Sequence, residues 1–160
     1  MLRMYEMFVS AKPVLRLRRL IIMTIKNYTA SKTPVKYAAE IEQILIEHGA
    51  AAIQKDIADG KIIALRFAVP TNVGRVSIQL PVNVDAVFKI LEKDKKINRN
   101  VKVTFEQAEK TAWANLRDWV AAQMALISIG MVSMDQVFLP YVIGPDGRTL
   151  YEVAASKGFY

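Results

Sequence analysis

The chain has 160 residues, a length that suits one domain with a core needing no covalent staple. It contains no cysteine and a single histidine, His48, which excludes disulfide frameworks, thiolate zinc sites, iron–sulfur clusters, cysteine nucleophiles and His-rich metal centres. Apolar residues make up 52%, too many for wholesale disorder, and the formal net charge of +7 directs attention to anionic partners.

The positive charge is uneven. Residues 1–22 hold five basic groups (Arg3, Lys12, Arg16, Arg18, Arg19) and one acid (Glu6), a net +4, which leaves 17 basic and 14 acidic groups, a net +3, for the rest. This opening segment has no clean period and only a short apolar run, Leu20-Ile21-Ile22, with no small-residue cleavage site after it, so it does not read as a signal peptide. It reads either as a basic arm that orders on nucleic acid or as upstream sequence ahead of a start at Met23. Residues 1–30 are accordingly expected to be a basic, flexible extension, and 31–160 a single domain.

The first firm element runs from Pro34 to His48. Thr33 suits the cap and Pro34 the first turn, while Tyr37, Ile41, Ile44, Leu45 and His48 recur at helical spacing and Gly49 stops the run. His48 is expected to satisfy itself on local carbonyls. Three strands are expected next, 51–57, 61–69 and 75–80. Asp59-Gly60 marks the first turn and Thr71-Asn72-Val73-Gly74 the second, with Pro70 and Pro81 ending the second and third strands. Alternation in the middle strand puts Ile63, Leu65, Phe67 and Val69 on the core face and Ile62, Ala64, Arg66 and Ala68 on the other. Val76, Ile78 and Leu80 point inward from the third strand, and Arg75, Ser77 and Gln79 outward. Asn83 caps a helix to about Lys95. A capping box, Thr104-Phe-Glu-Gln107, opens the longest helix, 105–129, and Ser133-Met-Asp-Gln136 repeats the pattern before Pro140. Gly144-Pro-Asp-Gly147 is a turn, and a short element follows from Arg148. The order predicts an α+β fold, a three-stranded antiparallel meander packed by helices on one face.

Asp135 is the sole charge between Asp118 and Asp146, and 119–134 is 16 uncharged residues, short of the ~18–20 that span a bilayer. No membrane is therefore expected as a partner. Such an apolar stretch either completes the monomer core or leaves area for a second copy to cover. The second reading predicts a homo-oligomer interface at Trp119, Met124, Ile127, Met131, Phe138, Leu139 and Tyr141.

No phosphate-binding glycine loop, dinucleotide fingerprint, zinc-protease motif or nucleophile elbow is present. Glu40, Glu42, Glu47, Asp56, Asp59, Glu106 and Glu109 read as solvated surface acids. Only their convergence would support a metal-dependent nuclease. No enzyme, cofactor or metal is expected. The case for nucleic acid rests on charge. Arg66 and Arg75 lie on one outward sheet face, and Lys89, Lys93, Lys95, Lys96, Arg99 and Lys102 crowd into 14 residues with only Glu92 and Asp94 between them. The same cations also fit a solvated helix end. That sheet face lacks the aromatics of an RRM or OB reader.

The run Trp113-x-x-Leu116-x-x-Trp119-x-x-x-Gln123-x-x-Leu126-Ile127-x-x-Gly130, then Phe138-Leu139-Pro140-Tyr141 and Gly147-Arg148-Thr149-Leu150-Tyr151, together with His48-Gly49-Ala50 before the strands, resembles a family of small uncharacterised phage and mobile-element proteins over about 37–151. The resemblance implies a phage-type origin and a site in the bacterial cytoplasm. In outline alone, the meander backed by helices is similar to the Rad52-like single-strand annealing proteins. The leading expectation is a non-enzymatic, homo-oligomeric protein that binds nucleic acid, single-stranded DNA first, in phage recombination or replication. The other expectation is an interaction module, such as an inhibitor of a host factor, that uses the apolar 119–143 surface.

Overall fold

The computed structural model describes residues 24–72 and 74–159. The basic groups expected at 1–22 lie outside the described residues. The elements are α1 (Pro34–Glu47), β1 (Ala52–Ala58), β2 (Lys61–Thr71), β3 (Gly74–Gln79), α2 (Val84–Lys95), α3 (Phe105–Ser128), α4 (Met134–Phe138), a 3-10 turn at Leu139–Tyr141, and α5 (Leu150–Ser156). The strands form an antiparallel sheet in the order β1-β2-β3, with the helices against one face, so the chain is an α+β protein.

Each helix starts at a side-chain cap. Thr33, Asn83, Thr104, Ser133 and Thr149 accept from the backbone N–H three residues on. Ser133 with Gln136 and Thr149 with Glu152 form full capping boxes. Thr104 does not, because the Gln107 amide is drawn away to the Ala30 carbonyl at 3.0 Å. Between β1 and β2, Asp59 and Gly60 both have positive φ (49° and 72°), the twist that suits a two-residue hairpin turn.

The sheet departs from the expected pattern twice. Asp56 lies opposite Ala64 but Ile57 opposite Ile62, so β2 carries one extra residue there. The bulge reverses the alternation. Ile62 packs against the core, and Ile63, expected inside, is 54% exposed. The second departure is that β2 continues through Pro70, which pairs with Arg75. On this part of β2 no described strand lies on the side that faced β1, since β1 pairing ends at Ala52 and Ala68, so the missing N–H breaks no ladder bond to β1. The far edge of β3 is covered at Val142 and Ile143, where the Ile143 N–H donates to the Ser77 carbonyl at 2.9 Å. Among the described residues nothing pairs with the β1 edge, which turns a charge toward the helices. Lys55, opposite Leu65, places its ammonium 2.7 Å from Glu42 of α1.

The main core joins Ile41 and Leu45 of α1, Leu65 and Phe67 of β2, Ile78 of β3, and Trp113, Leu116, Val120 and Met124 of α3. A smaller cluster joins Leu91 of α2, Val101 and Ala108, with Ile25, Tyr28, Val87 and Phe88 around it. Helix α3 serves both. His48 behaves as expected, its Nδ1 donating to the Ile44 carbonyl at 2.7 Å, and its Nε2 also reaches Ser128 Oγ at 2.9 Å.

Residues 24–30 belong to the body and not to an extension. One row of α3 side chains holds their backbone. Thr111 Oγ1 donates to the Asn27 carbonyl (3.0 Å), Asn115 Nδ2 to the Lys26 carbonyl (2.8 Å) and Gln107 Nε2 to the Ala30 carbonyl. Asp118 accepts from Asn27 Nδ2 (3.0 Å) and pairs with Lys26 Nζ (2.8 Å). From α2, the buried Asp94 carboxylate accepts the Ile25 N–H at 2.7 Å. These bonds satisfy a segment with no ladder of its own.

Two outcomes follow. Leu65→Ala should cost ~2–5 kcal/mol by denaturant unfolding, whereas Ile63→Ala should stay within ~0.5 kcal/mol. Similar losses at the two positions would contradict the bulge. Burial pushes the Asp118 carboxyl up, but the hydrogen bonds from Lys26 and Asn27 and the charges of Lys26 and Arg117 outweigh it and hold the group below its usual 3.8. An acid depressed by folding stabilises the native state above its unfolded pKa, and that share is lost as the pH falls through the lower folded value. The melting-temperature gap between wild type and Asp118→Asn should therefore be widest near neutrality and close as the pH drops below 3.8. A gap independent of pH would contradict it.

Candidate nucleic-acid interface

The eight cations expected to contact phosphate fall into two places. Arg66 and Arg75 are on the sheet face turned away from the helices. The other six are on α2 and the loop after it, around a cluster to which no strand residue belongs. The eight are thus divided between the sheet and the α2 end.

Arg66 is also compensated. Its guanidinium pairs with Asp56 at 2.7 Å and donates from Nε to Gln79 Oε1 at 3.0 Å, and Gln54 in turn holds Asp56. Register explains this: Gln54 and Gln79 lie directly opposite Arg66 on the two flanking strands. Arg66 thus meets solvent with its charge already compensated. Arg75 is exposed and enters no ion pair among the described residues.

The α2 end differs. Lys26, Lys32, Lys55, Lys61, Arg66, Lys110, Arg117 and Arg148 each sit within 4 Å of a carboxylate. Among the described residues Lys89, Lys93, Lys95, Lys96, Arg99 and Lys102 enter no such pair, and all six are exposed. Lys89, Lys93 and Lys96 follow at i, i+4 and i+7, one stripe about 10 Å long on the side of α2 away from Leu91. Lys95 Nζ donates to the Arg99 carbonyl at 2.6 Å and folds the loop back on the helix end. Of the two acids in this stretch, Asp94 is buried and turned to Ile25, which leaves Glu92 exposed. Beside the cations, Phe105 at the start of α3 is 49% exposed, and its ring centroid is 5.7 Å from that of Phe88. Sequence reasoning missed both rings. Aromatics three residues from Lys102 and next to Lys89 were the available signal.

Most of the surface acids singled out in the sequence are held locally. Glu40 is held below the usual carboxylate range first by its hydrogen bond from Lys32 and further by Arg117. Lys110 does the same for Glu106, with smaller pulls from Lys102 and Lys61. Glu109 pairs with Lys61 at 2.8 Å and Glu47 accepts from Gln43. Among the described residues no group of three or more His, Asp or Glu side chains is placed to hold a metal ion, and no helix is long and apolar enough to cross a membrane.

The expected self-association surface is partly internal. Met124 and Phe138 are fully buried, because the core between α3 and the sheet takes both side chains, and they are removed from any interface. Trp119 and Tyr141 are half-buried. Trp119 stacks edge-on against Phe138 (5.6 Å) and Tyr141 (5.5 Å), and Ile127 packs on the same core. Met131 (68% exposed) and Leu139 (54%) stay outside, as does Ile129, two residues before Met131. Leu139 borders an apolar groove of 260 Å³ lined by Val69, Val76, Ile78 and Met134.

Comparison with family models, with characterised proteins and with solved structures finds no match to this chain.

Proposed function

We propose that the protein is a non-enzymatic, homo-oligomeric nucleic-acid-binding protein whose phosphate contacts are made at the α2 end by Lys89, Lys93, Lys95, Lys96, Arg99 and Lys102. Single-stranded DNA is its first ligand, and phage recombination or replication is the setting in which it would act. One observation carries the reading: six neighbouring cations without an acid partner, in a chain whose other described basic groups are mostly paired. Helix-end electrostatics account for part of the row, since Lys93 and Lys95 are in the last turn of α2. They account less well for Lys89, a turn earlier, and not for Arg99 and Lys102 beyond the helix. Unpaired ammonium and guanidinium groups can displace condensed counterions from a phosphate backbone, which is the dominant source of sequence-independent affinity.

Self-association is the second element of this reading, supported by the exposed Met131 and Leu139 and by the groove that Leu139 borders. The same surface would serve an interaction module that needs no DNA.

Six phosphate contacts on a single strand should give a log–log slope of affinity on salt of about −4, and Lys89→Gln/Lys93→Gln/Lys96→Gln should reduce it to about −2. No retention of oligonucleotide at about 50 mM salt, or a slope near zero, would contradict the reading. Light scattering at micromolar concentration should give a multiple of the chain mass for wild type and a monomer for Met131→Glu/Leu139→Glu. A wild-type monomer would remove self-association.

A further inference from the structure

We infer that Phe105 is a base-stacking platform that makes the α2 end take a single strand, with its bases free, in preference to a duplex. The inference rests on the phosphate-binding reading of that end and adds a specificity-determining residue to it.

Phe105 is the first residue of α3, and its backbone is fixed there by the Thr104 cap, which accepts from the Gln107 N–H at 3.0 Å. Its ring is backed rather than loose. Phe88 lies 5.7 Å away with its plane tilted by 38°, and Phe88 packs in turn on the cluster of Leu91 and Val101. A ring anchored on one side and 49% exposed on the whole loses little freedom when a base lies on it.

Its surroundings are those a single strand requires. Lys89 follows Phe88 in α2, Lys95 lies on the same side two turns further, and Lys102 precedes Phe105 by three residues. A backbone tracked by these cations brings its bases within reach of the ring. Aromatic stacking on any base is sequence-tolerant and weak in a duplex, where bases already stack on one another. The outer sheet face, by contrast, carries Ala64, Ala68, Arg75 and Ser77 and no ring. Tyr151 and Phe159 are also exposed, but the segment 150–159 holds one lysine, Lys157.

Two probes of about 20 nucleotides separate stacking from charge: oligo-dT and an abasic strand with the same phosphates. Phe105→Ala should weaken oligo-dT binding about 10-fold and leave abasic binding unchanged. Phe105→Trp, which keeps a ring at the site, should retain affinity, and its added indole emission should be quenched by oligo-dT but not by the abasic strand. Equal effects of Phe105→Ala on both probes, or unaltered emission of Phe105→Trp with oligo-dT bound, would overturn the inference. The outcomes also separate the two readings. Binding that falls with Lys89→Gln/Lys93→Gln/Lys96→Gln but ignores Phe105 sinks the platform alone. Binding indifferent to those lysines sinks the phosphate surface beneath it.

Discussion

Helix α3 is the constraint on which the rest of the molecule depends. One side of it buries Trp113, Leu116, Val120 and Met124 against the sheet and α1. Another presents Gln107, Thr111, Asn115 and Asp118, spaced along successive turns, to the backbone of residues 24–30. Its first turns also carry Ala108 into the cluster that seats α2. The helix therefore does the work of a second layer. It closes the main core, satisfies an irregular segment through side-chain hydrogen bonds, and fixes α2 at one end of the domain. Satisfied polar rows of this kind specify geometry more than they add stability, because each bond replaces one made to water.

The charge distribution follows from that frame. Most cations on α3 and on the sheet find carboxylates, Arg75 excepted: Lys61 meets Glu109 and Arg117 meets Glu40, while Lys26 meets Asp118. Helix α2 has its one buried acid, Asp94, committed to the Ile25 N–H, so that carboxylate is not available to the lysines around it. The local excess at 89–102 is thus a product of tertiary structure as much as of composition. The strap that turns Asp94 inward also connects the segment to the basic loop, since Asn98 Nδ2 lies 3.4 Å from Thr24 Oγ1.

Much of the fold was legible in the residues. Thr33-Pro34, Asn83, Thr104 and Ser133 announce four helix starts, and alternation around Asp59-Gly60 announces the hairpin, whereas the element after Arg148 was open between helix and strand until the Thr149 cap showed a helix. Other features required three dimensions. The bulge at Ile63 adds one residue without disturbing a run, Ile62-Ile63, that is apolar at both positions, so alternation could not locate it. The neutral pairing of Arg66 depends on cross-strand register with Gln54 and Gln79. The apolar run 119–134 read either as core or as surplus, and three dimensions divide it: Val120 and Met124 fill the core and Trp119 packs on Phe138 and Tyr141, while Ile129 and Met131 stay exposed. The charge cluster was visible as a cluster. That its members stand unpaired, beside a half-exposed ring, was not.

The account is tested most directly by mapping amide chemical shifts of the labelled protein as oligo-dT is added. It predicts that perturbations concentrate at Lys89–Lys102 and Phe105 while the outer sheet face around Ala68, Arg75 and Ser77 stays still. Perturbations centred on that sheet face, or none at saturating oligonucleotide, would contradict it.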